Sequence, residues 1–406
     1  MPTKPPAIAK LRAWRSHLQA LDGRLTKSAP ADVLAQSGLA RSVGGSAPYL
    51  TILARTSTTR EAIDQDAARA VLHELPAARR CTYVVPAADF PLALQIAAMF
   101  GDAEMKVAAK LGVTTKEIDK LCAAVVKALE KGAMDPDGIR QATGDASRSL
   151  GEEGKKKGLT TTLPLALERL QNAGEIRRVP TNGRLDQQRY RYTLWKPSPL
   201  AKSKLSFEEA HVELARRYFR WIGPATISEF QWFSALGVKA AKAAIEPLKL
   251  EAIESGSDRL MFPDDREAFH SFKIPKSSAC VLISPLDSMV LLRRDLSQLL
   301  SPESARQKVY ADKGYCDMSG LSDLPSNAIL RDGEIVGLWE YDPEAESIAW
   351  MAFAKPDAAM KEAVAKTEAF VRDQLGDARS FSLDSPKSRM PRVQALRKAH
   401  AASSGR

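Results

Sequence analysis

The stretch TTTLPLALERLQNAGEIRRVPTNGRLDQQRYRYTL, residues 160–194, decides the fold. Apolar residues recur at helical spacing from Thr160 to Ala173, which predicts an amphipathic helix. Glu175 to Val179 and Gln188 to Leu194 predict two strands, because the turn Thr181-Asn182-Gly183 separates them. The stretch is therefore expected to form a helix followed by a β-hairpin.

Two further helices are predicted upstream of this stretch. Thr114 or Thr115 can cap a helix from Lys116 to Lys131, and Asp135 begins a short helix through Gln141. A polar, glycine-rich link from Gly151 to Gly158 connects them to the helix at Thr160. Three helices followed by a hairpin are the order of a winged helix.

The fold class predicted for the whole chain is α+β, with tandem winged-helix (helix-turn-helix) units followed by a small β-barrel-like domain. A helix is expected from Thr59 to Leu75, and strands are expected at Val290 to Leu292 and at three other places after residue 278. The predicted domains are an N-terminal helical winged-helix-like domain at 1–101, a second winged helix at 102–198, a third at 199–277, a β-barrel-like domain with a C-terminal helix at 278–385, and a mobile basic tail at 386–406.

The charge balance favours a polyanionic partner. The 406 residues include 59 Lys and Arg against 49 Asp and Glu, a formal net charge of +10. Such a surplus suits nucleic acid or an anionic membrane surface, although a mildly basic enzyme would have it too. No apolar run approaches the roughly 20 residues of a membrane span, so we expect a cytoplasmic, nucleoid-associated location. Together with the positive charge, this favours a bacterial protein that binds double-stranded DNA. We expect it to be a monomer.

The sequence predicts no metal or other cofactor. Its four cysteines, at 81, 122, 280 and 316, are far apart, and its five histidines show no ligand spacing. No Gly-rich phosphate loop, kinase motif set or GxSxG elbow is present.

Basic and hydroxyl side chains cluster around the predicted winged helices. Lysines precede the helix predicted from Thr160 and threonines begin it, where both would face phosphates, and arginines lie on the hairpin. A solvated basic surface is the alternative. The predicted DNA-contacting residues are Lys155, Lys156, Lys157, Thr160, Thr161, Thr162, Arg177, Arg178, Arg184, Arg189, Lys239, Lys242, Arg293 and Arg294.

Asp287 is a candidate catalytic carboxylate, because it follows Ser284-Pro285-Leu286 and precedes Arg293 and Arg294. A structural ion pair is the competing interpretation.

Four segments in one order resemble a known family, the winged-helix crosslink-repair DNA glycosylases (YcaQ/AlkZ-like). They are Ala47 to Arg55; Arg80 to Pro86 with Asp89-Phe90; Arg217 to Thr226 with Phe230; and Ser284 to Asp287 with Arg293-Arg294, Lys313 to Tyr315 and Gly333 to Gly337. The resemblance implies tandem winged helices, a concave DNA-binding surface, and metal-free hydrolysis of the N-glycosidic bond of alkylated or crosslinked purines.

The family positions a water with a motif of Gln, one residue, then Gln or Asp, and this chain departs from it. Counting back from Pro48 places the two positions at Ser37 and Leu39, or at Ala40 and Ser42. Neither pair matches, and Gln36 is the nearest amide. The catalytic residues are thus unknown from the sequence, with Gln36 and Asp287 as candidates.

Three functions remain open at this point. The protein is a DNA-repair glycosylase with altered catalytic residues, a non-catalytic lesion binder or transcriptional regulator on the same scaffold, or a protein-interaction module.

Overall fold

The N-terminal part of the chain forms a small sheet surrounded by helices. The computed structural model describes residues 8–100, 102–203, 205–276, 280–311 and 314–404. The first helices are α1 (Ile8–Leu18), α2 (Pro30–Ser37), α3 (Ala47–Leu53), α4 (Arg60–Ala68) and α5 (Phe90–Ala98), and the strands are β1 (Ala40–Arg41), β2 (Leu72–Pro76) and β3 (Thr82–Pro86). The sheet is antiparallel with the order β1-β3-β2.

The helix predicted from Thr59 to Leu75 is wrong in its second half. Helix α4 ends at Ala68, and Ala70 takes a left-handed φ of 55°, which turns the chain away from the helix axis. Residues 72–76 then pair along their whole length with β3. Pairing with a neighbouring strand outweighs the local helical pattern here.

The second unit has three main helices followed by the predicted hairpin. Its elements are α6 (Asp102–Ala109), α7 (Thr115–Leu129), α8 (Pro136–Thr143), α9 (Gly151–Lys156), α10 (Leu163–Asn172), β4 (Ile176–Pro180) and β5 (Tyr190–Leu194). Thr114 caps α7 by accepting from the Glu117 amide, as its sequence predicts. The supposed glycine-rich link is a short helix instead, because Glu152 and Glu153 lie in its first turn and Lys155 and Lys156 in its last.

The third unit is built around aromatic side chains. Its elements are α11 (Phe207–Ile222), α12 (Ile227–Ser234), α13 (Val238–Ile245), β6 (Glu251–Ala252), β7 (Leu260–Met261) and α14 (Pro263–Ser271). Capping boxes at Ser206 and Thr226 begin α11 and α12. Tyr218, Phe219 and Phe230 are fully buried in one cluster.

The last part of the chain is an open sheet with covering helices. Its elements are β8 (Cys280–Ile283), α15 (Ser288–Leu291), α16 (Pro302–Ala305), β9 (Lys308–Ala311), β10 (Gly314–Asp317), β11 (Asn327–Arg331), β12 (Glu334–Asp342), β13 (Ser347–Ala352), α17 (Ala358–Phe370) and α18 (Pro386–Ser404). The antiparallel order is β13-β12-β11-β8, while β9 and β10 pair separately. Within the described ranges no barrel closes, so the expected β-barrel-like domain is an open sheet.

Two further expectations for this region are wrong. Val290 to Leu292 is not a strand, because the Asp287 side chain caps α15 by accepting from the Met289 amide. The basic tail is helical through residue 404, and buried Arg389 pairs with Asp377 at 2.7 Å. Only its last two positions lie outside the described residues.

The hydrophobic cores join the parts of the chain. One cluster combines Leu75 and Phe90 with Tyr218 of the third unit, and another combines Tyr49 with Trp339 of the last sheet. The N-terminal sheet is therefore packed against both the third unit and the last sheet.

The predicted domain limits stay predictions. No helix in the described part of the chain is both long enough and apolar enough to cross a membrane.

Candidate functional site

A buried carboxylate on β2, Glu74, lies at the centre of the candidate site. Strand pairing sets Ala40, Val84 and Glu74 side by side across the three-stranded sheet. Directly opposed residues share one face of a sheet, and so do residues two apart. Ala40 and Ser42, one of the two placements counted for the family's motif, therefore lie on the same side as Glu74.

The two oxygens of Glu74 have different surroundings. Ser42 Oγ donates a hydrogen bond to Oε1, and Tyr190 Oη lies 3.5 Å from the same atom. Oε2 is buried and has no hydrogen-bond partner among the described residues. Burial raises the pKa of Glu74, while Arg178 and the two hydroxyl groups oppose the rise. One carboxylate oxygen is thus free to accept a proton.

The β4–β5 hairpin brings a cation to this carboxylate. Arg178 and Tyr192 are opposed in the hairpin, and Tyr190 lies two residues along the same face. The Arg178 guanidinium stacks on the Tyr190 ring at 4.6 Å, and its Nε is buried with no hydrogen-bond partner in the described ranges. Arg178 therefore balances the charge of Glu74 without forming a close ion pair with it.

The hairpin loop is fixed to the N-terminal unit by a tyrosine hydroxyl. Tyr49 Oη accepts from the Leu185 amide at 2.8 Å and donates to Asp64. Arg184 pairs with Asp186 in the same loop and donates to the Leu375 carbonyl at 3.0 Å. These bonds hold the arginine-bearing face of the hairpin over the sheet.

The segment after Ser42 packs closely against other parts of the chain, and two glycines make this close packing possible. Gly44 has a φ of +74°, and a Cβ there would overlap the Gln188 side chain at 2.3 Å. A Cβ on Gly45 would meet the Arg379 carbonyl at 2.5 Å. The Gly44-Gly45 pair therefore permits this close approach.

The histidine next to Glu74 belongs to the opposite face of β2. His73 contacts the rings of Phe90 and Trp195, with centroids at 6.0 and 5.1 Å. Burial, assisted by Arg177 and Arg178, lowers the pKa of His73 to about 3. Its imidazole is neutral near pH 7 and donates no charge to the site.

Several predicted DNA-contacting residues are accessible. Lys155, Lys156 and Lys157 are exposed on and just after α9, and Lys155 Nζ lies 3.7 Å from Glu152 Oε1. The other exposed residues of the predicted set are Thr160, Arg189, Lys239, Lys242 and Arg294, and Thr161, Arg177 and Arg178 are half-buried. Of these, Thr160, Thr161 and Arg178 line one cleft.

Other members of the predicted set are engaged within the fold. Thr162 is buried and accepts from the Arg148 amide at 3.2 Å. Arg293 is buried and donates to the carbonyls of Ile222 and Pro224. Arg294, although exposed, pairs with Asp323. Like Arg184, these residues form hydrogen bonds or ion pairs within the fold.

The two catalytic candidates from the sequence lie away from Glu74's free oxygen. Gln36 is exposed on α2 and accepts from Arg24 at 2.9 Å. Asp287 accepts from both terminal nitrogens of buried Arg55, at 2.7 and 2.8 Å. That geometry favours the structural ion pair over a catalytic role for Asp287.

Sequence reasoning missed Glu74 and Tyr190, and it considered Ser42 only as a motif position that did not match. A usable signal was present, since Leu72-His73-Glu74-Leu75-Pro76 ends at a proline and is followed by a β-rich run. Reading those five residues as a strand would have made Glu74 part of the sheet, but its contact with Ser42 depends on how the strands pair. Within the described residues, no group of three His, Cys, Asp or Glu side chains could hold a metal ion.

Comparisons with known proteins agree on one family. A family model described as "DNA glycosylase AlkZ-like" matches residues 32–381. The solved structure of Streptomyces sahachiroi DNA glycosylase AlkZ superposes with a TM-score of 0.68 and 19% sequence identity, over 93% of this chain and 99% of that chain. At that identity the likeness concerns the fold. No curated protein sequence matches the chain.

Proposed function

Because the chain belongs to the AlkZ-like DNA glycosylase family, we propose that it binds duplex DNA and hydrolyses the N-glycosidic bond of an alkylated or crosslinked purine. Glu74 is the proton acceptor in this proposal, and Ser42, Tyr190 and Arg178 position it.

The observation that carries the proposal is the free Oε2 of Glu74. It lies on the sheet face that also bears Ala40 and Ser42. These two positions are one of the placements counted for the family's motif of Gln, one residue, then Gln or Asp. Ser42 bonds to the other oxygen of the same carboxylate. In this proposal a side chain from β2, on the far side of β3 from Ala40, supplies the proton acceptor.

The reaction follows from that arrangement. A water molecule attacks the sugar C1′, the C1′–N bond breaks, and its electron pair goes to the departing purine. Glu74 takes the proton that the water loses, so the products are an abasic sugar and a free base. The nearby Arg178 favours the ionised carboxylate, which is the form that accepts a proton.

DNA binding in this proposal uses winged-helix units. In the second unit, helices α7, α8 and α10 precede the hairpin in the order of a winged helix, and exposed lysines lie on α9 and exposed Arg189 on the hairpin loop. Such side chains contact phosphates irrespective of sequence. Arg178 and Tyr190 lie on the same hairpin and connect this proposed DNA-binding surface to Glu74.

The activity is tested by incubating the protein with duplex DNA that contains N7-methylguanine and quantifying abasic sites. We expect product above a protein-free control with that duplex and none with unmodified duplex. Tight binding without product would favour the second candidate, a non-catalytic lesion binder or regulator. The observation that favours this alternative is that Glu74 is only 2% exposed.

DNA binding is tested by replacing Lys155, Lys156 and Lys157 with Ala. The log–log salt dependence of duplex binding should flatten by up to about 2.7, at roughly 0.9 per lost phosphate contact. A control variant removes the same amount of charge elsewhere in the second unit. It carries Lys106→Ala in α6, Lys110→Ala in the following turn and Lys120→Ala in α7. Equal slopes for the two triple variants would contradict the assigned surface. No duplex binding at low salt would favour a protein-interaction module.

A further inference from the structure

The loop of residues 380–385, just before α18, exposes two large apolar side chains. Leu383 is 84% exposed and Phe381 is 45% exposed. A single exposed leucine is ordinary in a soluble protein, but two large apolar side chains within three residues of one loop form a local apolar surface. We call Phe381 and Leu383 the apolar tip.

The loop that carries the apolar tip is held in shape by polar groups at its base. The Ser380 amide donates to the Asp384 carboxylate at 3.2 Å, and buried Asp384 also accepts from Arg392 at 2.8 Å. The Asp384 amide donates to the Phe381 carbonyl at 3.0 Å. The loop therefore keeps its conformation without burying Leu383, so stability does not explain a leucine at this position.

The apolar tip adjoins the candidate site. The Ser382 amide, between the two apolar residues, donates to the Val43 carbonyl at 3.1 Å. Val43 directly follows Ser42, whose hydroxyl bonds to Glu74. One backbone hydrogen bond therefore connects the tip to the strand segment that positions the proposed proton acceptor.

Exposed cations lie near the apolar tip. Arg379, at the start of the loop, donates to the Asp186 carbonyl at 2.9 Å and so joins the loop to the β4–β5 hairpin loop. Arg189 is exposed on that hairpin loop, and Lys387 is exposed in the first turn of α18. An apolar projection with cations around it fits a DNA duplex, whose phosphates surround a stack of apolar base faces.

A duplex offers such a projection one particular place. Leu and Phe side chains act as wedges that enter between base pairs and unstack them. A purine that leaves the stack costs unpairing and unstacking free energy, and a side chain that fills the space it leaves offsets part of that cost. A fixed loop suits this role because its side chains are already ordered before they meet the DNA.

We propose that the apolar tip enters the base stack beside the target purine, with Leu383 as the inserted side chain and Phe381 as its support. The inference rests on the proposed function and adds positioning residues to it. Leu383 contacts the neighbouring bases and not the sugar C1′, so it acts when the purine leaves the stack and not when the glycosidic bond breaks.

Unstacking is measured with 2-aminopurine placed next to 2′-fluoro-N7-methylguanine, whose glycosidic bond resists hydrolysis. The emission of 2-aminopurine increases when the base loses its stacking. We expect emission to rise when the wild-type protein binds this duplex, and to rise little with Leu383→Ala. The Kd of that variant should change by no more than about 3-fold, because phosphate contacts dominate affinity.

Two further variants assign the emission change to the wedge. Leu383→Met keeps a large apolar side chain and should give the wild-type rise. Ile8→Ala removes another exposed aliphatic side chain, from α1, and should also behave as the wild type. Leu383→Ala should keep the wild-type Tm, because the side chain that it removes is exposed.

Excision rates separate a wedge from a purely structural role. In single turnover on N7-methylguanine paired with cytosine, Leu383→Ala should be about 10- to 100-fold slower, because the purine must leave the stack without a wedge. Opposite an abasic-site analogue the variant should come within about 3-fold of the wild type, because an unpaired base leaves the stack at lower cost. A disturbed fold would lower both rates alike.

Two outcomes would overturn the inference: no emission change with the wild-type protein, or an emission rise and a paired-duplex rate that Leu383→Ala leaves unchanged. Self-association of the wild type that Leu383→Ala abolishes, with emission unaffected, would also overturn it and assign the tip to a second copy of the chain. Failure of the proposed function is distinguishable. Abasic product at equal rates in both proteins keeps the hydrolysis and rejects the wedge, whereas a Leu383-dependent emission rise without abasic product keeps the wedge and rejects the hydrolysis.

Discussion

Asp287 and Glu74 are both buried carboxylates, with 0% and 2% of their surface exposed, yet their surroundings differ. Asp287 accepts two short bonds from Arg55 and one from the Met289 amide. Glu74 accepts from hydroxyl groups at one oxygen, has no partner at the other, and has its nearest cation stacked on a tyrosine.

The comparison separates a structural carboxylate from a reactive one. Arg55 satisfies both oxygens of Asp287 and ties α3 to the start of α15, where loss of either partner would leave a buried charge. A buried acceptor without a partner costs about 1–3 kcal/mol, so Glu74 is not explained by stability. Asp287 and Glu74 therefore differ in how many of their carboxylate oxygens accept hydrogen bonds within the described residues, and not in burial.

Replacing Glu74 should have the largest effect on activity. Glu74→Gln removes the proton acceptor, and we expect the single-turnover excision rate to fall about 10²- to 10⁴-fold. The free energy of unfolding should stay the same or rise, because a neutral amide avoids the desolvation of a charge. Glu340→Gln is the control, since Glu340 is equally buried but pairs with Arg392 at 2.7 Å. That variant should keep the rate and lose stability.

Replacing Asp287 should have the largest effect on stability. Asp287→Ala leaves Arg55 buried without its partner, which should lower the free energy of unfolding by about 3–5 kcal/mol in urea titrations. Asp323→Ala removes the exposed pair with Arg294 and should cost at most about 1 kcal/mol. A loss of similar size in both variants would contradict the structural role of Asp287.

A smaller effect is expected at Ser42. Ser42→Ala removes the hydroxyl that bonds to Glu74, a charge-assisted bond that contributes about 1.5–3 kcal/mol, so the rate should fall about 10- to 100-fold. The pKa of Glu74 should rise further, because Ser42 stabilises the charged form. Ser234→Ala removes another buried hydroxyl, bonded to the Phe230 carbonyl, and should leave rate and pH dependence unchanged.

The smallest effect is expected at Gln36. Gln36→Ala removes an exposed amide bonded to Arg24. The excision rate should change by no more than about 2-fold and the free energy of unfolding by no more than about 0.5 kcal/mol. A rate loss as large as that of Glu74→Gln would show that Gln36 replaces the missing motif after all.

The sequence was most informative where local pattern and tertiary context agree. The hairpin after residue 174 and the helix α7 lie close to their predicted limits, because turn chemistry and an apolar face with Ile118, Leu121 and Val125 specify them locally. The resemblance to the family, drawn from four short segments, is confirmed by the match over residues 32–381.

The site itself could not be read from local pattern. Glu74 continues an apparent helical periodicity after α4, and only pairing with β3 makes it part of a strand. Its partners, Ser42 and Tyr190, are 32 and 116 residues away. Such a cluster depends on contacts between distant segments, which neither spacing nor propensity encodes.

The most direct test of Glu74 as the proton acceptor is the pH profile of single-turnover excision from N7-methylguanine duplex. The carboxylate must be ionised to act, and its pKa is raised above the ordinary 4.5. The wild-type rate should therefore increase as pH rises through an inflection above 4.5, then level off, while Glu74→Gln should be slow and lack that inflection. A wild-type inflection that persists unchanged in Glu74→Gln would contradict the account.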